Sequence, residues 1–450
     1  MKLLYIDTYI PYPLNNGGSQ AFFTISDHVR QQHDLSVLLY VHNSREKENV
    51  EQLKKLWPNV TFYIFERDTE KQQVSNTPSL DPNSGMSWYD RKLCKTYDFL
   101  GRSMQRKIAR KRRKYDAGSF GGKTESIKES DIVRNNSTLF MGTIDLTPSF
   151  CNYVHEVASK GFDVVQIEFY DYLPLVYILP KEIKKVFVHH ELRFVRNENE
   201  IGLYKKPLPT DRILLEQKKA EELAALNAYD AVITLTDIDK EILSHYLPED
   251  KIFASPAITH TVTYEHKSFA PAKELVFVGN GDHFPNADGM VWFCQEVVPM
   301  LQTKGVKVPA IHITGNWNEK LKTGLKQLCP TVNFVGYVDD LQSFLNGKIS
   351  IVPIRIGSGM RMKILDSVFA AAPLVTTSKG CEGLPFFDND NCLIADTTEA
   401  FVNALEKMLS DVELQQRLAI KAQNSKTNML NEEALYDKRV SVYTTLLGKK

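Results

Sequence analysis

Residues 353–385, PIRIGSGMRMKILDSVFAAAPLVTTSKGCEGLP, decide how this chain is interpreted. An apolar strand ends at Pro353, a Gly-Ser-Gly loop follows at 357–359, and a helical pattern begins near Met360. Glycines let backbone amides approach a ligand closely, and the positive end of a helix attracts anions. The pattern predicts an anion site after this strand; a glycine turn beside a solvated helix face is the alternative.

Charged side chains follow this loop at informative positions. Arg361 and Lys363 add two cations at its mouth. Asp366 lies five residues beyond Arg361, where a carboxylate can accept hydrogen bonds from the paired hydroxyls of a ribose. A nucleotide diphosphate-sugar combines two phosphates, a ribose diol and a sugar. The spacing therefore indicates a nucleotide-sugar site.

Outward from this stretch, short apolar runs alternate with helical patterns, which predicts an α/β protein with two Rossmann-like doubly wound domains facing a cleft. We predict strands at 3–6, 35–41, 59–65, 163–169, 185–189, 230–235, 274–279, 310–315, 332–336, 349–353 and 374–377. The predicted domains are 1–255 for an acceptor, with a polar and basic insertion at about 68–150, and 256–425 for a nucleotide-sugar. Residues 426–450 are predicted to be helical, with a crossing back to the first domain as a hypothesis.

Composition excludes several classes of protein. The 450 residues include 43% hydrophobic and 24% charged ones, typical of a globular protein. The 55 basic and 55 acidic side chains cancel, so no overall field attracts nucleic acid or membrane. Six dispersed cysteines without a C-x-x-C pair argue against a zinc site and a disulfide framework. The N-terminus does not have the pattern of a signal peptide, and we expect a cytoplasmic protein.

The sequence resembles the bacterial glycosyltransferases of family 4 (group 1), which have the GT-B fold. The likeness rests on GSGMRMKILDS, PLVTT and GCEGLP, a form of the branch with G-S-G-x-R-x-K-I-L-E, and extends to 277–301 and 332–345. In the first half, the glycine pair at 17–18, HHELRFVR at 189–196 and AYDAVITLTDIDKEIL at 228–243 also match the family pattern. The resemblance implies a retaining sugar transfer without a metal or other cofactor.

The same resemblance implies which residues hold the donor. They are Gly357, Ser358, Gly359, Arg361, Lys363, Asp366 and Glu382, with Gly17 and Gly18 on the opposite wall. Many family members carry two glutamates at the positions of Ser358 and Asp366, so the first carboxylate is absent here. A cationic pair that many relatives place after the first strand of this domain is also absent from VGNGDHFPN. Arg361 and Lys363 would then supply the charge for the phosphates.

Two histidines are the candidates for catalysis. His189 and His190 follow a strand end, at the loop where the family places a histidine that contacts the sugar. The sequence does not distinguish between them, and a structural role is the alternative. Glu168, at the end of another strand, is a weaker candidate for the cleft, with a packing or capping role as its alternative. Gly17 and Gly18 precede a helical pattern that is predicted to begin at Ser19, and they could equally form a tight turn before it.

Three other motifs have alternative interpretations. Asp237-x-Asp239 resembles a metal-binding D-x-D, but Thr236 or Asp237 capping a helix explains it better. The glycines at 279–281 lack the third glycine of a dinucleotide fingerprint and indicate a turn beside the donor site. Residues 102–114, RSMQRKIARKRRK, carry eight cations and no acid. They predict peripheral contact with an anionic membrane at its inner face, with a solvated helix or a flexible loop as the alternative.

The sequence thus predicts an enzyme that moves a sugar from a nucleotide-sugar donor to the hydroxyl of a glycan or lipid-linked acceptor, in surface polysaccharide or glycoconjugate biosynthesis. We expect no nucleic-acid partner, because the basic run has no interleaved aromatic residues. Two alternatives stay open: a sugar-nucleotide epimerase of the same fold, and a scaffold that binds a nucleotide-sugar without turnover.

Overall fold

The structure is a computed structural model, and it describes residues 1–14, 17–66, 132–141, 146–257, 267–429 and 432–448. The basic run at 102–114 and most of the predicted insertion lie outside these residues. The membrane contact predicted for that run therefore stays a prediction.

The first half is built on a sheet of seven parallel strands in the order β3-β2-β1-β4-β5-β6-β7. Both faces of such a sheet are covered by helices, which explains the continuous apolar runs in its strands. Leu3, Leu4, Tyr5 and Ile6, for example, are all fully buried. The strands are β1 (Lys2–Asp7), β2 (Asp34–Val41), β3 (Thr61–Glu66), β4 (Val164–Glu168), β5 (Lys184–His189), β6 (Ala231–Thr234) and β7 (Ile252–Ala254).

The second half is built on six parallel strands in the order β10-β9-β8-β11-β12-β13. They are β8 (Glu274–Phe277), β9 (Ile311–Thr314), β10 (Val332–Gly336), β11 (Lys348–Val352), β12 (Leu374–Thr376) and β13 (Leu393–Ile394). The two parallel sheets confirm the predicted α/β class. Strands β7 and β13 were not predicted, because three and two residues are too short to show a period.

Helices connect and cover these strands. In the first half they are α1 (Gly17–Gln32), α2 (Ser44–Leu56), α3 (Ile132–Asn135), α4 (Pro148–Ala158), α5 (Arg193–Gly202), α6 (Pro209–Asn227) and α7 (Asp237–Ser244). In the second half they are α8 (Phe284–Trp292), α9 (Val298–Thr303), α10 (Glu319–Leu328), α11 (Leu341–Leu345), α12 (Met362–Phe369), α13 (Thr398–Ser410), α14 (Val412–Met429) and α15 (Glu432–Leu446).

Some helix boundaries differ from the predicted ones. Helix α1 begins at Gly17 instead of after the glycine pair, so Gly17 and Gly18 form its first turn. Helix α12 begins at Met362, two residues later than the apolar periodicity indicates. The charged stretch at 412–447 forms the two helices α14 and α15.

Residues at the end of the predicted insertion contribute to the first half. Ser137 Oγ and the backbone N–H of Thr138 donate to the buried carboxylate of Glu200 on α5, at 2.6 and 3.0 Å. Helix α4 begins at Pro148, inside the predicted insertion, and buries Phe150 in the core of the first sheet. These contacts attach the last part of the predicted insertion to α5 and to the first sheet.

In each sheet the order of strands reverses beside its first strand, at β1/β4 and at β8/β11. Loops at such a reversal diverge and leave a crevice at the carboxyl ends of the strands, where ligands bind in this type of fold. The chain segments after β1, β4, β8 and β11 are therefore the places to look for chemistry, together with the segment after β5, which neighbours β4 in the sheet. None of the helices that the structure describes is long and apolar enough to cross a membrane.

Candidate active site

The Gly-Ser-Gly loop after β11 lies directly against the segment after β5. A Cβ atom added to Gly359 would lie 2.1 Å from the carbonyl oxygen of His190, and one added to Gly357 would lie 2.9 Å from Glu191 Oε1. Both glycines have positive φ, 121° for Gly357 and 78° for Gly359. The Ser358 hydroxyl accepts the backbone N–H of Leu192 at 2.8 Å. Glycine is required here because any side chain would hold the two sheets apart.

Arg361 follows this loop and is hydrogen-bonded back to it. Its Nη1 donates to the carbonyl oxygens of Ser358 and Gly359, the latter at 2.9 Å. Its Nη2 is buried without a hydrogen-bond partner among the described residues. A buried donor without a partner is unusual in a folded protein and calls for an explanation. A guanidinium N–H in this state can donate to the oxygen of an anionic ligand.

Lys363 and Asp366 follow on α12. Lys363 Nζ donates to Asn286 Oδ1 at 2.5 Å and lies 4.6 Å from the centre of the Phe277 ring. Burial and then the charge of Arg361 lower the pKa of Lys363 to about 7, although Asp366 opposes the shift. Burial also raises the pKa of Asp366 to about 7, against the attraction of Lys363. Both groups therefore change charge near neutral pH.

An acid on the first half faces these cations. Glu191 Oε2 accepts from Arg196 Nη1 at 3.0 Å, and Arg196 Nε donates to Glu200 at 2.9 Å. Burial opposes ionisation of Glu191, but the charges of Arg196, Arg193 and Arg361 outweigh it and lower the pKa of Glu191 to about 2. Glu191 is therefore ionised at neutral pH and helps to hold Arg361 in the site.

The two candidate histidines have different surroundings. His189 is 1% exposed, and its Nε2 lies 2.7 Å from Glu222 Oε1. The carboxylate of Glu222 also accepts the backbone N–H groups of Arg193 and Phe194, the first residues of α5. His189 thus belongs to a buried arrangement that caps this helix. His190 keeps 14% of its side chain exposed and lies at the contact with Gly359.

His190 lies near two acids, Asp7 and Glu168, at the carboxyl ends of β1 and β4. Its Nε2 lies 2.7 Å from Glu168 Oε2, and its ring stacks on Phe169 with the centres 3.9 Å apart. Phe169 adopts a φ of 66°, which is strained for a bulky residue. Burial and then the charge of Glu168 raise the pKa of Asp7 well above its usual range. The structure therefore brings an imidazole and two carboxyl groups together.

The structure locates the remaining predicted residues as follows. Glu382 forms an ion pair with Lys379. Thr236 caps α7 by accepting the backbone N–H of Asp239 at 3.0 Å, as the capping interpretation of the D-x-D motif predicted. A Cβ atom on Gly279 would lie 3.1 Å from Lys363 Nζ, so the glycine turn after β8 lies beside this cation. Gly17 and Gly18 offer the first-turn amides of α1.

Several residues of the site were missed by sequence reasoning. They are Asp7, Glu191, Arg196, Glu222 and Asn286. Asp7 ends the first strand and Glu191 follows β5, so the rule that ligands bind at the carboxyl ends of strands could have found both. Glu222 lies in the middle of α6, where a helical pattern gives no indication of a contact with His189.

Comparisons with known proteins agree with this geometry. Residues 272–411, which contain all six strands of the second sheet, match the family model of group 1 glycosyl transferases. An uncharacterized 44.6 kDa protein in the cps region of Klebsiella pneumoniae is 24% identical over 198 residues. That match covers 42% of this chain and about half, 49%, of the relative.

Solved structures match along nearly the whole chain. S. aureus TarM in complex with fondaparinux, alpha-GlcNAc-glycerol and UDP has a TM-score of 0.60 at 12% identity and covers 98% of this chain and 100% of its own. HepE of Anabaena in complex with UDP has a TM-score of 0.60 at 11% identity, with coverage of 99% and 100%. Sucrose-phosphate synthase of Thermosynechococcus elongatus has a TM-score of 0.62 at 12% identity, with full coverage of both chains. This chain has the GT-B fold.

Proposed function

We propose that this protein is a retaining glycosyltransferase that moves a sugar from a nucleotide-sugar to an acceptor hydroxyl. The observation that carries the proposal is the contact between the loop at 357–361 and His190. This contact places the cations Arg361 and Lys363 opposite the imidazole of His190 and the acids Glu168 and Asp7. The family match over 272–411 and the nucleotide complexes of TarM and HepE support the same activity.

In the proposed reaction, the bond between the anomeric carbon and the phosphate oxygen breaks, and a bond to the acceptor oxygen forms on the same face. The acceptor proton passes to the leaving phosphate. Arg361, Lys363 and the first amides of α12 stabilise the negative charge that grows on this phosphate. The seating of Gly359 against His190 excludes water from the reacting bond, which suppresses hydrolysis.

We assign the remaining roles on the same basis. Asp366 holds the ribose hydroxyls, because it lies one turn after Lys363 on α12. His190 contacts the transferred sugar, since it is the more exposed of the two histidines and lies at the loop contact. Ser358 holds the loop in place through Leu192, and Glu382 acts near the donor with Lys379. Gly17 and Gly18 face the ligand from α1.

We further propose a glycan or lipid-linked acceptor in surface polysaccharide or glycoconjugate biosynthesis, reached at the cytoplasmic side of a membrane. The acid-rich end of the first sheet suits a ligand with many hydroxyl groups, because carboxylates accept hydrogen bonds from them. The glycan in the TarM complex supports an acceptor of this kind.

The test is a thermal-shift screen with UDP, other nucleoside diphosphates and their sugars, followed by product analysis. A bound nucleotide raises the melting temperature by mass action. A transferase yields free nucleotide and a new glycoside only when an acceptor is added. Epimerised donor without an acceptor would identify the enzyme as an epimerase. Binding without turnover, over a broad acceptor set, would identify a scaffold.

A further inference from the structure

A row of buried side chains leads from α15, in the last part of the chain, to His190. The hydroxyl of Tyr443 donates to Gln166 Oε1 on β4. Gln166 Nε2 donates to Glu168 Oε1 at 2.7 Å, and Glu168 Oε2 lies 2.7 Å from His190 Nε2. Tyr443 and Gln166 are fully buried, so water does not compete for these hydrogen bonds.

The chemistry of the groups sets the direction of each hydrogen bond. The Gln166 amide must turn its N–H to the carboxylate of Glu168, which leaves its oxygen for the Tyr443 hydroxyl. The hydroxyl of Tyr5, 2.8 Å from that of Tyr443, then donates to Tyr443. Glu168 accepts hydrogen bonds on both oxygens. His190 therefore carries its proton on Nε2, and in the neutral ring Nδ1 is the nitrogen that can accept a hydrogen bond.

A second residue fixes the same helix at the end of β7. Arg439, one turn before Tyr443, donates from Nε to Ser255 Oγ and from Nη2 to the Ser255 carbonyl oxygen, both at 3.1 Å. It also lines a small cavity of about 10 Å³ together with Glu168 and His190, roughly the space of one water molecule. Helix α15 is thus attached to the first sheet at two places, at Gln166 on β4 and at Ser255 just after β7.

We infer that Tyr443 is a positioning residue for His190 and acts through Gln166 and Glu168. It lies outside residues 272–411, the part of the chain that matches the family model. Tyr443 touches neither His190 nor the loop at 357–361 through any hydrogen bond that the described residues make. Its effect is to fix the amide that orients the carboxylate, and thereby the tautomer and ring position of His190. The inference rests on the proposed role of His190 in transfer.

The first test needs no substrate. The full chain, labelled with ¹⁵N-histidine and assigned with His190→Gln, is compared with Tyr443→Phe by NMR. The expected result is the Nε2–H tautomer in the parent and a mixture of tautomers in Tyr443→Phe. Tyr229→Phe is the matched control, because it also removes a buried hydroxyl, one that donates to the Leu173 carbonyl oxygen at 2.9 Å. An unchanged tautomer in Tyr443→Phe would overturn the inference.

The second test uses transfer. Tyr443→Phe should lower kcat about tenfold and shift its pH profile, with the donor KM unchanged, because the lost hydrogen bond is remote from the cationic loop. Tyr229→Phe should keep the parental pH profile. If Tyr443→Phe fails to fold, Gln166→Met interrupts the row at its middle and should give the same changes. A parent that transfers no sugar but gives the expected NMR result would refute the proposed function and leave the positioning of His190 intact.

Discussion

The two sides of the cleft differ in the charge of the groups that line them. On the first-sheet side, His190 and Glu168 bond each other, and Glu191 is bonded to Arg196. On the second-sheet side, Arg361 keeps a buried donor without a partner among the described residues. Lys363 there has a lowered pKa, because burial disfavours its charge.

This difference teaches which side binds the anion. A buried cation with a lowered pKa is stabilised in its charged form when a negative ligand binds, so the ligand restores its charge. A carboxylate that already accepts its hydrogen bonds repels a phosphate and suits neutral hydroxyl groups instead. We therefore assign the diphosphate to the second-sheet side and the sugar hydroxyls to the first-sheet side. Four predictions test this division, beginning with the largest expected effect.

Removing both cations should abolish tight nucleotide binding. Each charge-assisted hydrogen bond is worth about 1.5 to 3 kcal/mol, so Arg361→Ala with Lys363→Ala should weaken UDP binding by about 3 to 6 kcal/mol, at least a hundredfold. Calorimetry measures the change. The control is Arg417→Ala with Lys421→Ala, which removes two exposed cations of α14 in the same half. Equal affinity in both double variants would contradict the assignment.

Separating the two sides should impair transfer more than stability. In Gly359→Ala the new methyl group meets the His190 carbonyl oxygen, in addition to the roughly 1 to 2 kcal/mol of strain at positive φ. Gly336→Ala carries the same strain, at a φ of 82°, but its methyl group has nothing within 4 Å. Gly359→Ala should therefore be the less stable of the two variants, and transfer should fall at least about tenfold in Gly359→Ala alone. The melting temperature and the transfer rate are measured for both variants. Equal transfer rates in Gly359→Ala and Gly336→Ala would refute the role of the contact between Gly359 and His190.

Nucleotide affinity should fall as pH rises above 7. The free protein loses the Lys363 proton near pH 7, whereas a bound diphosphate keeps the amine charged, so binding takes up a proton. The expected slope is up to about tenfold in affinity per pH unit between 7 and 9. Lys363→Arg, which stays charged, should flatten the profile. Calorimetry in buffers of different ionisation enthalpy would count the protons, and no uptake by the parent would contradict this prediction.

The smallest effect concerns the acids of the first-sheet side. Because the folded pKa of Asp7 lies above its unfolded value of about 3.9, the folded protein retains a proton that the unfolded chain releases, and stability falls as pH rises above about 4. Asn does not titrate. The melting temperature of Asp7→Asn, relative to that of the parent, should therefore rise by about 2 °C as the pH is raised from 4 to 8. A difference that is constant over this range would argue against burial of the Asp7 charge.

The two parallel sheets, most of their strands and the cationic loop could be predicted from the amino-acid sequence. These features are local: a strand, a glycine loop and a helix start within a few residues, and periodicity and glycine positions reveal them. Arg361 and Lys363 belong to this group, since their place after the loop follows from a short stretch of chain. Even so, the starts of α1 and α12 were misplaced by two residues, because apolar periodicity does not mark a cap.

The pairing of the residues in the site, by contrast, depends on how the chain folds. The bond between Ser358 and Leu192 joins positions 166 residues apart, and that between Tyr443 and Gln166 joins positions 277 apart. His189 and His190 are neighbours in sequence, yet one is buried against Glu222 and the other lies beside Glu168 at the cleft. Successive side chains at a strand end point to opposite faces, and what meets them there depends on which helices cover each face. Burial then sets the charge of Lys363 and Asp366, and no local pattern of residues encodes that burial.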